Sequence, residues 1–111
     1  IKWIHSETEG LALSKQENKP VLIDFYADWC PPCKQMDKVT FQDKGVIDEL
    51  DRFVAIKADM SRPSSPGQAA GKKYGISAYP TFILLDSQGR KKTIVGYTPP
   101  KEFLKALRDI R

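Results

Sequence analysis

Cys30 and Cys33 are the only cysteines of the chain, and two prolines separate them. Residues three apart on a helix share a face, with Cβ atoms roughly 5 to 6 Å apart. After a small adjustment the two sulfurs can bridge without dragging the backbone. The pair can therefore alternate between dithiol and disulfide. If a helix opens at the motif, its unpaired N–H groups and partial positive charge favour a thiolate at the first cysteine. Cys30 is then the expected nucleophile. Cys33, one turn deeper and shielded by its own helix, attacks the mixed disulfide and releases product. Pro31 and Pro32 suit a helix start, where the first N–H groups have no intrahelical partner to lose. They also remove two donors, so the Cys30 thiolate depends on the Cys33 N–H, the helix dipole and any nearby charge.

Other cysteine chemistries lack their remaining parts. A zinc site needs about four ligands, and the one other soft donor is His5, so no metal is expected. A cysteine hydrolase needs a well-placed His with an orienting Asn or Asp, and His5 is again the lone candidate. An inert structural bridge across two residues closes too small a loop to constrain the unfolded chain much. The couple needs no cofactor beyond itself.

The elements that position the motif can be read from patterning. Val21 to Ala27 is a central strand, apolar on both faces except at Asp24. A lone carboxylate there must keep its proton, find a cation or touch a buried water. Asp28 lies at the strand end and is expected to be exposed. Lys2 to His5 alternates as an edge strand, and Ser6 with Glu9 has capping-box spacing for a helix that stops before Lys19-Pro20. Gly10 weakens that helix. After the motif, Met36, Val39 and Phe41 are expected to face the core, and Asp43 to cap a second short helix through Val46, Ile47 and Leu50. Phe53 to Met60 alternates as a strand, with Val54, Ile56, Ala58 and Met60 on one side and Lys57 on the other.

Ser61 to Gly67 is a turn-rich loop. Ser65 with Pro66 is expected to start a helix that Gly75 ends. Thr81 to Leu85 reads as a buried strand, Asp86 to Gly89 as a hairpin turn, and Lys91 to Tyr97 as its antiparallel partner. Thr98 is expected to cap a last helix with Pro99 at its first position and Phe103, Leu104, Leu107 and Ile110 on its apolar face. The order implies an α/β domain, a mixed sheet with helices on both faces. At 111 residues and 41% apolar content, residues 1–111 fit a single domain. The net charge of +4 is scattered. A nucleic-acid surface would want a concentrated basic patch with stacking aromatics, so no nucleic-acid partner is expected.

Asp24 to Lys34, with its buried Asp, aromatics, Trp-Cys-x-x-Cys and Lys, resembles the active site of the thioredoxin superfamily, and Tyr79-Pro80-Thr81 resembles its proline-threonine loop. Within the superfamily, Lys19-Pro20-Val21, Ala27-Asp28-Trp29-Cys30 and Val39-Thr40-Phe41-x-Asp43 are most similar to the C-terminal domain of DsbD-type thiol:disulfide interchange proteins and its free-standing relatives. The resemblance implies a thioredoxin fold and a thiol–disulfide oxidoreductase. It implies that Asp24 accepts a proton from Cys33 and that Lys57 approaches Asp24 and lowers its pKa, the alternative being a solvent-exposed Lys57. It also implies a cis Tyr79–Pro80 bond and a substrate-docking face of Trp29, Pro31, Tyr79 and Pro80.

A monomeric protein-disulfide reductase is the expected role, with oxidase or isomerase as the alternative. Its partners would be protein thiols and disulfides and a membrane or soluble thiol electron donor. The chain starts at Ile1 rather than Met. With the resemblance, that places the expected site of action outside the cytoplasm, in a periplasm or its equivalent, with the cytoplasm as the alternative.

Overall fold

A computed structural model describes residues 1–111. Five strands form one mixed sheet: β1 (Trp3–Ile4), β2 (Val21–Tyr26), β3 (Val54–Asp59), β4 (Thr81–Leu85) and β5 (Lys91–Val95), in the order β1-β3-β2-β4-β5. β1 and β2 run parallel to β3, whereas β4 runs antiparallel to β2 and β5. The helices are α1 (Glu7–Glu17), α2 (Pro31–Lys38), α3 (Lys44–Leu50), α4 (Gln68–Tyr74) and α5 (Pro100–Arg108), with a 3-10 turn at Thr40–Gln42. None of them is long and apolar enough to cross a membrane. This is the mixed sheet with helices on both faces that the element order implied.

The period-2 alternation of the strands sorts their side chains between two cores. Leu22, Phe82 and Leu84 pack with Met36, Phe41, Val46, Phe103 and Leu107 on the face covered by α2, α3 and α5. Val21, Ile23, Phe25, Val54, Ile56 and Ile83 form the other, against Ala70 and the apolar side chains of α1. Phe41, Phe82 and Phe103 meet edge-to-face, with centroids 5.1 to 6.0 Å apart, a favoured aromatic geometry.

Two of the expected caps form. Ser6 Oγ accepts from the Glu9 N–H at 3.2 Å, and Asp43 Oδ2 accepts from the Val46 N–H at 3.1 Å. Two others do not. Ser65 Oγ accepts from the Arg62 N–H inside the loop, and the Gly67 N–H is bound to the Asp59 carbonyl, so α4 starts only at Gln68. At the last helix the Thr98 backbone is already engaged, its N–H donating to Met36 Sδ and its C=O accepting from Thr40 Oγ1. Pro99 therefore takes the cap position and Pro100 the first turn.

Two smaller expectations are also corrected. Val39 is exposed, because α2 ends at Lys38 and the following turn rotates Phe41, not Val39, into the core. β5 stops at Val95, where Gly96 takes φ 89°. Gly10 also has a packing role: it is buried, and a Cβ there would run into the Ile56 side chain.

Candidate active site

Both cysteines sit where β2 hands over to α2. Cys30 is the N-cap of α2, with extended φ −101° and ψ 108°, and Pro31 and Pro32 occupy the first helical positions. Cys30 and Cys33 form a disulfide with Cα atoms 5.3 Å apart. The Cys33 N–H donates to Cys30 Sγ at 3.2 Å. That N–H is the donor left over once the two prolines have removed theirs. Exposure does not separate the two cysteines, since Cys30 is 3% and Cys33 5% accessible. The direction of the hydrogen bond does: it points at Cys30 Sγ, the sulfur whose thiolate such a donor would favour in the reduced pair.

Around the disulfide the structure gathers the other expected residues. Trp29 is 59% exposed, and its ring meets Tyr79 edge-on at 5.7 Å. The Tyr79–Pro80 peptide bond is cis. Pro80 is buried and Tyr79 half-buried, and Tyr79 packs against the Ala27, Cys30 and Cys33 cluster. Pro31 is exposed beside them. Asp28 is exposed, as expected, and pairs with Arg62 at 3.2 Å.

Asp24 is 2% accessible, and its Oδ1 receives no hydrogen bond from the protein. Alternation along β2 puts it on the same face as Leu22, the face covered by the cysteine-bearing helix α2. Burial pushes its pKa up to about 7, against a smaller lowering by Lys57 and with a further raising by Asp37. Lys57 is its register partner on β3, so the two side chains leave the sheet on the same side. Lys57 is not solvent-exposed: its side chain is 15% accessible and its ammonium lies 4.9 Å from the Tyr26 ring and 5.2 Å from the Trp3 ring. Its ion-pair partner is Asp37, at 2.8 Å, rather than Asp24.

Sequence reasoning missed Asp37. The available signal was spacing, since Asp37 follows Cys33 by four residues and so shares its helix face. It also missed Ser61, whose carbonyl accepts from Trp29 Nε1 at 2.8 Å. Nothing in the sequence marks that residue beyond its place in a turn-rich loop.

The chain matches the model of the thioredoxin-like domain family over residues 8–111. It is 34% identical over 113 residues to the thiol:disulfide interchange protein DsbD of Vibrio vulnificus, an alignment covering 99% of this chain and 19% of that protein. The chain thus spans about a fifth of the length of the curated relatives it matches. Among solved structures it resembles a thioredoxin from Thermus thermophilus, with TM-score 0.83, 32% identity, and 98% and 85% of the two chains covered. It also resembles the oxidised C-terminal domain of Neisseria meningitidis DsbD, with TM-score 0.76, 26% identity, and 97% and 99% covered. A match of this extent, laid over a disulfide at the head of α2, makes the chain a member of the thioredoxin-like family.

Proposed function

We propose that residues 1–111 work as one monomeric domain that reduces protein disulfides. The hydrogen bond from the Cys33 N–H to Cys30 Sγ carries the exchange chemistry, because in the reduced pair it favours charge on Cys30 and so makes Cys30 the attacking sulfur; the likeness to DsbD and to a thioredoxin supports the reducing direction. The Cys30 thiolate attacks one sulfur of a substrate disulfide, breaking that bond and expelling a thiolate that takes up a proton. Cys33 then loses its proton to Asp24 and attacks Cys30 Sγ. The second substrate thiol leaves, and the Cys30–Cys33 disulfide remains. Two electrons have moved from the domain to the substrate; before the transfer the dithiol pair itself held them, without a further cofactor.

Each neighbouring residue has a part in this scheme. Asp24 suits the proton transfer because a carboxyl with a pKa of about 7 can both hold and release a proton near neutrality. Lys57 tunes Asp24 by its charge. Trp29, Pro31, Tyr79 and Pro80 form the docking face, where the Tyr79 backbone can pair with an extended substrate segment. One face shared in turn by donor and acceptor calls for small, transient contacts.

The likeness to DsbD supports a place outside the cytoplasm, where a reductase must be recharged continually by a dithiol carrier upstream. The test is reduction of a protein disulfide with dithiothreitol as electron source. Turnover that disappears in Cys30→Ser supports the role; turnover unaffected by that change refutes it.

A further inference from the structure

We infer that Ser61 is a positioning residue for substrate, fixing the indole of Trp29 and so shaping the docking face in advance. The inference rests on the reductase reading above and deepens it.

Trp29 projects from the surface, and an exposed side chain of that size ordinarily samples several rotamers. Here it does not stand free. Its Nε1–H donates to the Ser61 carbonyl at 2.8 Å while its ring meets Tyr79 edge-on. The carbonyl is itself held. The Ser61 hydroxyl donates to Asp59 Oδ1 at 2.5 Å and accepts from the Asp28 N–H at 2.8 Å, and the Ser61 N–H also donates to Asp59 Oδ1, at 2.9 Å. One buried serine thus ties the residue before Trp29 and the acceptor for Trp29 to the same carboxylate.

The loop that presents Ser61 is closed at both ends. The Met60 N–H continues the sheet ladder to the Tyr26 carbonyl at 2.8 Å, and the Gly67 N–H returns to the Asp59 carbonyl at 2.9 Å. A Cβ on Gly67 would collide with the backbone of Ala58 and Asp59, so the closure requires glycine. Inside it, Arg62 and Ser65 bond each other in both directions, the Arg62 N–H to Ser65 Oγ and the Ser65 N–H to the Arg62 carbonyl. Arg62 also reaches back to Asp28. The loop acts as a rigid bracket for Trp29 rather than a flexible connection.

Ordering one large side chain at an interface costs an amount equivalent to about two- to tenfold in affinity. With the bracket in place, that cost is met before substrate arrives. Removing the Ser61 hydroxyl should therefore raise KM for a protein disulfide by about two- to tenfold, with little change in kcat. It should also increase the mobility of Trp29, read as fluorescence anisotropy in a Trp3→Phe background that leaves Trp29 as the single tryptophan.

The decisive experiment is a double-mutant cycle on KM with Ser61→Ala and Trp29→Phe, the second of which keeps a ring but deletes the indole N–H. If Ser61 acts through Trp29, the double variant should match Trp29→Phe alone. Additive effects, or an unchanged KM in Ser61→Ala, would overturn the inference. Should Ser61→Ala not fold, Gly67→Ala displaces the same loop from its other end and takes its place in the cycle. Absence of disulfide reduction in the unmodified protein would instead strike at the reductase role, which keeps the two failures distinct.

Discussion

Lys57 reaches from β3 to Asp37 on α2, Nζ to Oδ1 at 2.8 Å, although its register partner on the sheet is Asp24. The lysine is therefore shared: its charge lowers the Asp24 pKa, while the carboxylate it pairs with raises it. Opposite shifts follow from the two removals. Lys57→Met should move the Asp24 titration upward. Asp37→Asn should move it downward, because it deletes a repelling charge and frees the ammonium. Carbon-detected NMR of the Asp24 carboxyl in the reduced protein checks both, and a titration indifferent to either change would disconnect the three groups.

Asp24 also sets a pH dependence of stability. Its folded pKa, about 7, lies above its ordinary value of 3.8, so the folded state holds the proton longer than the unfolded chain. Stability linked to Asp24 is then fully present below about pH 4 and declines as pH rises to about 7. Asp24→Asn removes that decline. The variant should gain on the wild type as pH rises through this window, by on the order of 4 kcal/mol at pH 8. Denaturant midpoints of both proteins at pH 4 and pH 8 check the sign. The same variant should slow release of the mixed disulfide by Cys33 more than attack by Cys30.

The roles of the two sulfurs separate in trapping. Cys33→Ser should accumulate mixed disulfides with protein substrates through Cys30, and Cys30→Ser should accumulate none, as seen on non-reducing gels with mass spectrometry. Equal trapping by both variants would remove the assignment of nucleophile and resolving residue.

Gly10 tests the packing of α1 on the sheet. Ile56, which a Cβ at Gly10 would meet, is fully buried and has little room to yield. Gly10→Ala gains helix propensity, yet overpacking should outweigh it and leave a net loss on the order of 1 kcal/mol. A raised melting temperature would show that Ile56 can move aside.

Much of this was legible in the residues, and most of the exceptions share a cause. The apolar run of Val21 to Ala27, the alternation of Phe53 to Met60, the caps at Ser6 and Asp43, and the cysteine spacing are local signals, and each was realised in the fold. Val39 misled because α2 ends just before it. Ser65 and Thr98 misled because other partners had already claimed their neighbourhood: Asp59 binds Gly67, and Met36 and Thr40 bind Thr98. Asp37 and Ser61 escaped notice for the same reason, since their partners Lys57 and Trp29 lie 20 and 32 residues away. Local pattern marks an element. It does not reveal which distant group will use the element's free donors and acceptors.

The reductase assignment stands or falls on the reduction potential of the Cys30–Cys33 couple, measured by equilibration with a glutathione or dithiothreitol redox buffer. It predicts a value on the reducing side, near the roughly −270 mV of thioredoxin. A value near the roughly −120 mV of DsbA would mean that electrons flow into this couple from substrate thiols, and would make the protein an oxidant.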